Sequence, residues 1–305
     1  MTQLNLHETQ MIRIATYASV AVAGLLICLK FFAWWLTHSV SLQASLIDSL
    51  LDGLSSFINM IAIYYALKPP DAKHRFGHGK LESLSALGQS LFIGGSAIWL
   101  LYEARERLVT QHEPSESVGL GIVVMVLAIL LTLALVTYQQ YVVKKTQSPA
   151  ISADMLHYKA DFLVNLAAII GLGSSHFFHI EALDPLFGLL IGCYILWTAW
   201  RIITHAFNIL LDQELDDEHQ TKILAIIKSH PEVIDVSNLR TRSSGIQQFF
   251  QMNLFMRPDL TLREADQIAD DVEAEITKAY PRSQVIIRLV PEIQGDTKHK
   301  PIVYL

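Results

Sequence analysis

The chain has 305 residues, of which 51% are hydrophobic and only 17% charged, with mean hydropathy +0.34. Ordinary soluble domains carry about 25% charged residues, so neither a typical cytosolic enzyme nor a disordered chain fits. A formal charge of −6 gives no basic surface for nucleic acid, and two cysteines exclude a disulfide framework or a Cys-rich zinc module.

Position sharpens these averages. Residues 212–305 hold 16 acidic and 11 basic side chains, about half of all the charges, whereas residues 1–211 are close to neutral and strongly apolar. A membrane domain over 1–211 is therefore expected, followed by an aqueous domain over 212–291 and a loose tail over 292–305. A bilayer core of ~30 Å needs about 20 apolar helical residues. Six runs qualify: 11–36, 41–67, 83–103, 118–141, 151–175 and 184–210. The first is too long for a signal-peptide core and lacks a small-residue cleavage site.

At the outer end of the first span, Phe31, Phe32, Trp34 and Trp35 suit an aromatic belt, and Lys30 is expected to snorkel to the interface. Lys68, Lys73, Arg75 and Lys80 follow the second span, Lys144 and Lys145 the fourth, and Arg13 precedes the first. The positive-inside rule places all of these, and hence both termini, on the cytoplasmic side. Arg105 and Arg107 dissent, beside Glu103 and Glu106. His38, His112, His176 and His179 fall on the outer side as solvated residues.

Charges inside the spans are the chemical signal. Asp48 and Asp52 lie in the second span, His157 and Asp161 in the fifth. Each pair is spaced four residues apart and shares one helix face. Counted from the span ends at ~1.5 Å per residue, all four lie about 10–17 Å deep, so they can meet near the middle of the membrane. Ionisable residues there are functional candidates by default. Three carboxylates and an imidazole suit a tetrahedral divalent ion, Zn²⁺ above all, with Fe²⁺, Mn²⁺, Co²⁺ or Cd²⁺ also admissible. A proton relay without metal and a structural charge network are the alternatives. Asp154, nearer the end of the fifth span, is expected to be solvated, and Lys159 to reach the interface or an acidic partner. In the loop after the second span, Asp71, His74 and His78 form either a small chelating cluster or an ordinary solvated loop.

In the aqueous part, residues 215–229 read as an amphipathic helix carrying Ile223, Leu224, Ile226 and Ile227. Strands over 233–242 and 246–256 turn at Ser243-Ser244-Gly245, a second helix over 261–279 has Thr261 and Glu264 in capping-box spacing, and Val285-Ile286-Ile287 forms a third strand. The order αββαβ fits a small ferredoxin-like or metallochaperone-like domain with helices on one face of its sheet. The fold class expected is thus a six-helix membrane protein with a small α+β appendage.

The segment Ser45-Leu46-Ile47-Asp48-Ser49-Leu50-Leu51-Asp52 resembles the Ser/Asp motif of the cation diffusion facilitator family, His74–Glu82 resembles its loop signature, and His157-Tyr158-Lys159-Ala160-Asp161 its HxxxD element. With six spans and a cytoplasmic tail, the resemblance covers nearly the whole chain and is greatest to the bacterial FieF-type branch. It implies a homodimeric inner-membrane antiporter that exports a divalent metal, Zn²⁺ first and Fe²⁺ or Cd²⁺ as alternatives, against protons. It implies a transport site at Asp48, Asp52, His157 and Asp161, a second site at Asp71, His74 and His78, and an ion-pair interlock at the dimer contact between Lys80 and Asp212. No prosthetic group is implied; the metal is cargo. FieF-type relatives also hold a zinc pair in the cytoplasmic domain, but the corresponding positions here read Ser237 or Asn238, Asn253, Asp266, Arg288 and Val290, so that pair is expected to be absent or weakened. A non-transporting metal sensor or scaffold and a membrane metalloenzyme are the competing classes. Against the enzyme, no HExxH occurs, and against ATP-driven pumping, no GxxxxGK[ST].

Overall fold

The computed structural model describes residues 6–38, 40–109, 119–178 and 183–292. The expected loose tail lies from residue 293 onward outside the described residues, as do His112, His179 and the side chain of His176.

Six long helices come first: α1 (Leu6–Thr37), α2 (Val40–Ala66), α3 (Lys80–Val109), α4 (Gly119–Thr146), α5 (Pro149–Phe178) and α6 (Leu183–Leu210). Among the described residues five of them, α1, α2, α3, α4 and α6, are long and apolar enough to cross a membrane. Phe32, Trp35, Trp99, Leu190 and Trp200 all project from this bundle, as side chains facing lipid should. Its interior is built of small residues. Ala86, Ile93 and Ala97 of α3 meet Ala153, Leu156 and Ala160 of α5 and Ile195, Ala199, Ile202 and Ala206 of α6. Between membrane helices the driving force is close packing, which small residues permit. At Gly192 a Cβ would lie 2.8 Å from Leu101, so α6 approaches α3 there at glycine distance. The start of α5 is set locally: the Ser148 hydroxyl accepts from Ile151 N–H at 3.2 Å, and Pro149 occupies the first helical position. The same hydroxyl donates to the buried Glu82 carboxylate of α3.

The most consequential departure from expectation is Asp154. It is fully buried, not solvated. Its Oδ2 accepts from Ser19 Oγ of α1 at 2.5 Å and Gln139 Nε2 of α4 at 2.7 Å. Its Oδ1 accepts from Gln89 Nε2 of α3 at 3.0 Å and, more weakly, from Ser56 Oγ of α2 at 3.4 Å. Five helices thus converge on one carboxylate. Tyr158, one turn along α5, extends the network: its hydroxyl donates to Ser19 O at 3.1 Å and pairs with Ser56 Oγ at 2.8 Å. Two other charges also depart from expectation. Lys30 turns toward α2, donating to Ser49 Oγ at 2.7 Å and Ser45 O at 3.2 Å. Lys159 donates to the Tyr194 hydroxyl of α6 at 2.6 Å, a neutral partner in place of an acid.

Glu8–Phe207 form one compact unit, and a second begins at Asn208. The second unit contains α7 (Asp217–Lys228), β1 (Val233–Ser244), β2 (Gln247–Met256), α8 (Leu262–Ala279) and β3 (Ser283–Pro291). β1 pairs antiparallel with β2, β2 pairs parallel with β3, and α8 supplies the crossover. Gly245, at φ 60°, makes the hairpin turn between β1 and β2. Thr261 caps α8 as its spacing predicts: Glu264 N–H donates to Thr261 Oγ1, and Thr261 N–H to Glu264 Oε2. Ile223 and Ile227 of α7, and Ala265, Val272 and Ile276 of α8, cover Phe250, Met252, Leu254 and Met256 of β2. The alternation along β2 sends Gln251, Asn253 and Phe255 to the other face.

Removing the Asp154 carboxylate strands buried amide and hydroxyl donors, each costing about 1–3 kcal/mol. Asp154→Ala should therefore lower the thermal unfolding midpoint of the detergent-solubilised protein markedly, and Asp154→Asn, which keeps one acceptor oxygen, should do so less. Equal midpoints for Asp154→Ala and wild type would show that the network carries no stability.

Candidate metal centres

Asp154, His157, Tyr158 and Asp161 are spaced by three and four residues, so α5 presents them as one polar stripe. Above the Asp154 network, His157 is buried and faces Asp52 of α2 and Asp161 of its own helix. Its Nε2 stands 3.1 Å from Asp52 Oδ1 and 3.8 Å from Asp161 Oδ2. The imidazole is buried within ion-pair distance of both carboxylates. One ligand atom from each of Asp52, His157 and Asp161 lies within 4.8 Å of the others.

Such a triangle of two carboxylate oxygens and an imidazole nitrogen can close on a small cation. An imidazole nitrogen set between two carboxylates can carry a proton shared with them or give that proton up and bind a cation in its place. Asp48 is not part of the triangle; it is exposed on α2, one turn before Asp52. The ring of His157 lies edge-on to Tyr158 at 5.4 Å, and Tyr158 is fixed by Ser56 and Ser19. The Asp154 network thereby steadies the helix turn that carries the imidazole. Asn165 donates to the Asp161 carbonyl at 2.8 Å one turn further on.

A second cluster lies between α2 and α3. Asp71, His74 and His78 also bring one ligand atom each within 4.8 Å. His74 Nδ1 is 3.3 Å from Asp71 Oδ1, His78 Nε2 is 3.4 Å from Asp71 Oδ2, and the two rings lie 4.6 Å apart. The turn is set by Asp71, whose Oδ1 accepts from the backbone N–H groups of His74 at 2.7 Å and Lys73 at 2.8 Å. These two donors hold its carboxyl below the usual carboxylate range, so Asp71 stays an anionic ligand into mild acid. Gly77, at φ 82°, turns the chain so that His78 comes back over Asp71. His78 is largely buried, whereas Asp71 and His74 are exposed, which leaves the cluster open to solvent on one side.

The remaining expected positions are spread through the chain. Lys80 is the first residue of α3. Asp212, at φ 57°, follows α6 and accepts from Arg242 Nη1 at 3.2 Å within the second unit. In the sheet domain, a groove is lined by Asn238, Arg240, Gln251, Met252, Asn253, Ile286 and Arg288. Among the described residues the two three-membered ligand groups are those of α2/α5 and the loop; none lies in the sheet domain.

Asp154, Tyr158 and Lys30 were not singled out by sequence reasoning as contributors to the site. A signal existed for Asp154, since it sits three residues before His157 on the same face.

Comparison with known proteins bears on the whole chain. The family profile described as the cation efflux transmembrane domain matches residues 16–211, and that of the cation efflux protein cytoplasmic domain matches residues 215–292. A protein named cation-efflux pump FieF from Klebsiella pneumoniae is 46% identical over 277 residues, covering 91% of this chain and 92% of the relative. Proteins of the same name from Citrobacter koseri and Escherichia coli O1:K1 are 45% and 44% identical over the same shares.

Proposed function

The chain belongs to the cation diffusion facilitator family of cation-efflux transporters, and on that footing we propose that it exports Zn²⁺ from the cytoplasm in exchange for protons. Family membership makes it a multi-pass membrane transporter of divalent cations. The finer reading rests on one observation above all: the buried imidazole of His157 converges with Asp52 and Asp161, one ligand atom of each within 4.8 Å of the others.

Zn²⁺ prefers four ligands in a tetrahedron, drawn from imidazole nitrogen and carboxylate oxygen at about 2.0–2.2 Å. Three donors already converge on one point, and Asp48, one helical turn away on α2, completes the set when its side chain swings inward. The cargo and protons compete for the same atoms, because a carboxylate or imidazole must be deprotonated to bind metal. Binding on the side of low proton concentration and release on the side of high proton concentration follow from that competition, and this is what couples the two fluxes. Fe²⁺ and Cd²⁺ satisfy the same donor set and are the expected alternative cargoes.

The loop cluster of Asp71, His74 and His78 is proposed as a second, solvent-accessible ion site beside the transport path. The protein acts as a homodimer in the bacterial inner membrane with both termini in the cytoplasm, residues 1–211 forming the transport domain and 212–291 the dimerising one. Lys80 and Asp212 are proposed to interlock at the dimer contact. Arg288 and the amides Asn238 and Asn253, at positions where the resemblance implies zinc ligands, line one groove, and the described part of the sheet domain holds no three-membered ligand group. Its dimerisation therefore proceeds by packing and hydrogen bonding without a zinc pair.

In proteoliposomes with an imposed pH gradient, Asp52→Ala should abolish zinc flux, a loss of at least 100-fold corresponding to more than about 2.7 kcal/mol. Flux at the wild-type rate would refute the assignment. Calorimetric titration of residues 212–305 with Zn²⁺ should show no stoichiometric micromolar binding; a clear two-ion isotherm would restore the zinc pair.

A further inference from the structure

Lys30 is a cation placed beside a cation site, an arrangement that a simple binding pocket would avoid. Its position follows from how α1 meets α2. Ala23, Ile27 and Lys30 share one side of α1, while Ser45, Ser49 and Gly53 recur every four residues on α2. A Cβ on Gly53 would lie 2.9 Å from Ile27 Cδ1 and 3.8 Å from Ala23 Cβ, so the two helices are in close contact at that level. The Lys30 stem runs on along this seam, and its ammonium is tied down by Ser49 Oγ and Ser45 O.

Ser49 lies between Asp48 and Asp52 in sequence and is itself buried. The ammonium is thus held at the level of the α2 carboxylates by neutral acceptors. Among the described residues no carboxylate lies within ion-pair distance of it; through Ser49 it stands beside the α2 turn that carries Asp48 and Asp52. A lysine tethered in this way brings positive charge near those carboxylates without pairing with either.

Charge accounting gives the arrangement a purpose. Three ionised carboxylates carry three negative charges, while a divalent ion and one ammonium carry three positive ones, with His157 neutral as a ligand. The loaded site is then electrically balanced, and a balanced site is the least costly one to move through a medium of low dielectric. Without the ammonium the loaded site would keep a net negative charge and hold its dication more tightly.

Resting on the transport reading above, we propose that Lys30 is a built-in counter-cation of the Asp48/Asp52/His157/Asp161 site, which weakens metal binding so that the ion can leave. It is a positioning and tuning residue, since it touches Ser45 and Ser49 and not the ion. The Asp154 carboxylate is held by donors from four other helices and is not one of the proposed ligands.

The test compares Lys30→Gln, Lys30→Met and Lys30→Arg in the full-length protein, with Asp52→Ala as control. Zinc affinity is read by competition with a chelating dye in detergent, and KM and kcat from flux in proteoliposomes. Lys30→Gln keeps a hydrogen-bonding side chain and removes the charge. It should bind zinc about tenfold tighter, with KM lowered and kcat lowered, and Lys30→Met should shift the same way. Lys30→Arg should stay near wild type. Lys30→Gln with wild-type or weaker zinc affinity overturns the proposal, because a merely structural lysine would loosen the site on removal. Should Lys30→Met fail to give a folded protein, Lys30→Gln alone decides. Undiminished flux in Asp52→Ala would instead remove the transport reading itself, whatever the lysine variants do.

Discussion

The helical unit depends on how one polar stripe is accommodated inside an apolar bundle. Burying an ionised carboxylate in a membrane interior is costly unless donors surround it, and α5 carries two, at Asp154 and Asp161, with His157 and Tyr158 between them. Everything that packs against this face is selected accordingly. Ser19, Ser56, Gln89 and Gln139 come from four different helices to meet Asp154. The alanines of α3, α5 and α6 let the backbones come close enough for short polar side chains to reach.

Two levels of the stripe are treated in opposite ways. At Asp154 the carboxylate is saturated by neutral donors, and such a group has no capacity left for an ion. One turn away, the imidazole of His157 faces two carboxylates, Asp52 and Asp161, at ion-pair distances and in place of amide and hydroxyl donors. A network of neutral donors fixes helices; a cluster of titratable groups can exchange protons for a cation. Tyr158, bonded to Ser56 and Ser19, ties the two levels together, so the rigid level holds the imidazole where the open level needs it.

Much of this was legible in the sequence, because the signals were long or periodic. Apolar runs gave the membrane helices, alternation and turn residues gave the αββαβ order, and the Thr261–Glu264 spacing gave the cap of α8. The i, i+4 pairs brought Asp52, His157 and Asp161 to one place, and the loop signature did the same for Asp71, His74 and His78. Local rules misjudged what tertiary packing decides. Depth counted along the fifth span puts Asp154 near its end, where solvation is the usual fate, but partners from four other helices close over it. Lys30 sits near aromatic residues at a span end, where snorkelling is the common behaviour, but its ammonium bonds Ser49 and Ser45 of α2. Asp48 shares a helix face with Asp52, yet face alone does not fix a rotamer, and the carboxylate stays outside the triangle.

The transport site proposed is a mixed oxygen and nitrogen site with a single imidazole. Zinc X-ray absorption fine structure on the full-length protein, with the loop silenced by Asp71→Ala, His74→Ala and His78→Ala, reads that ligand set directly. The account predicts a four-coordinate ion with one imidazole nitrogen and oxygen ligands at about 2.0–2.1 Å, and loss of the imidazole signal in His157→Ala. Two or more imidazoles, a sulfur ligand, or an unchanged spectrum in His157→Ala would contradict it.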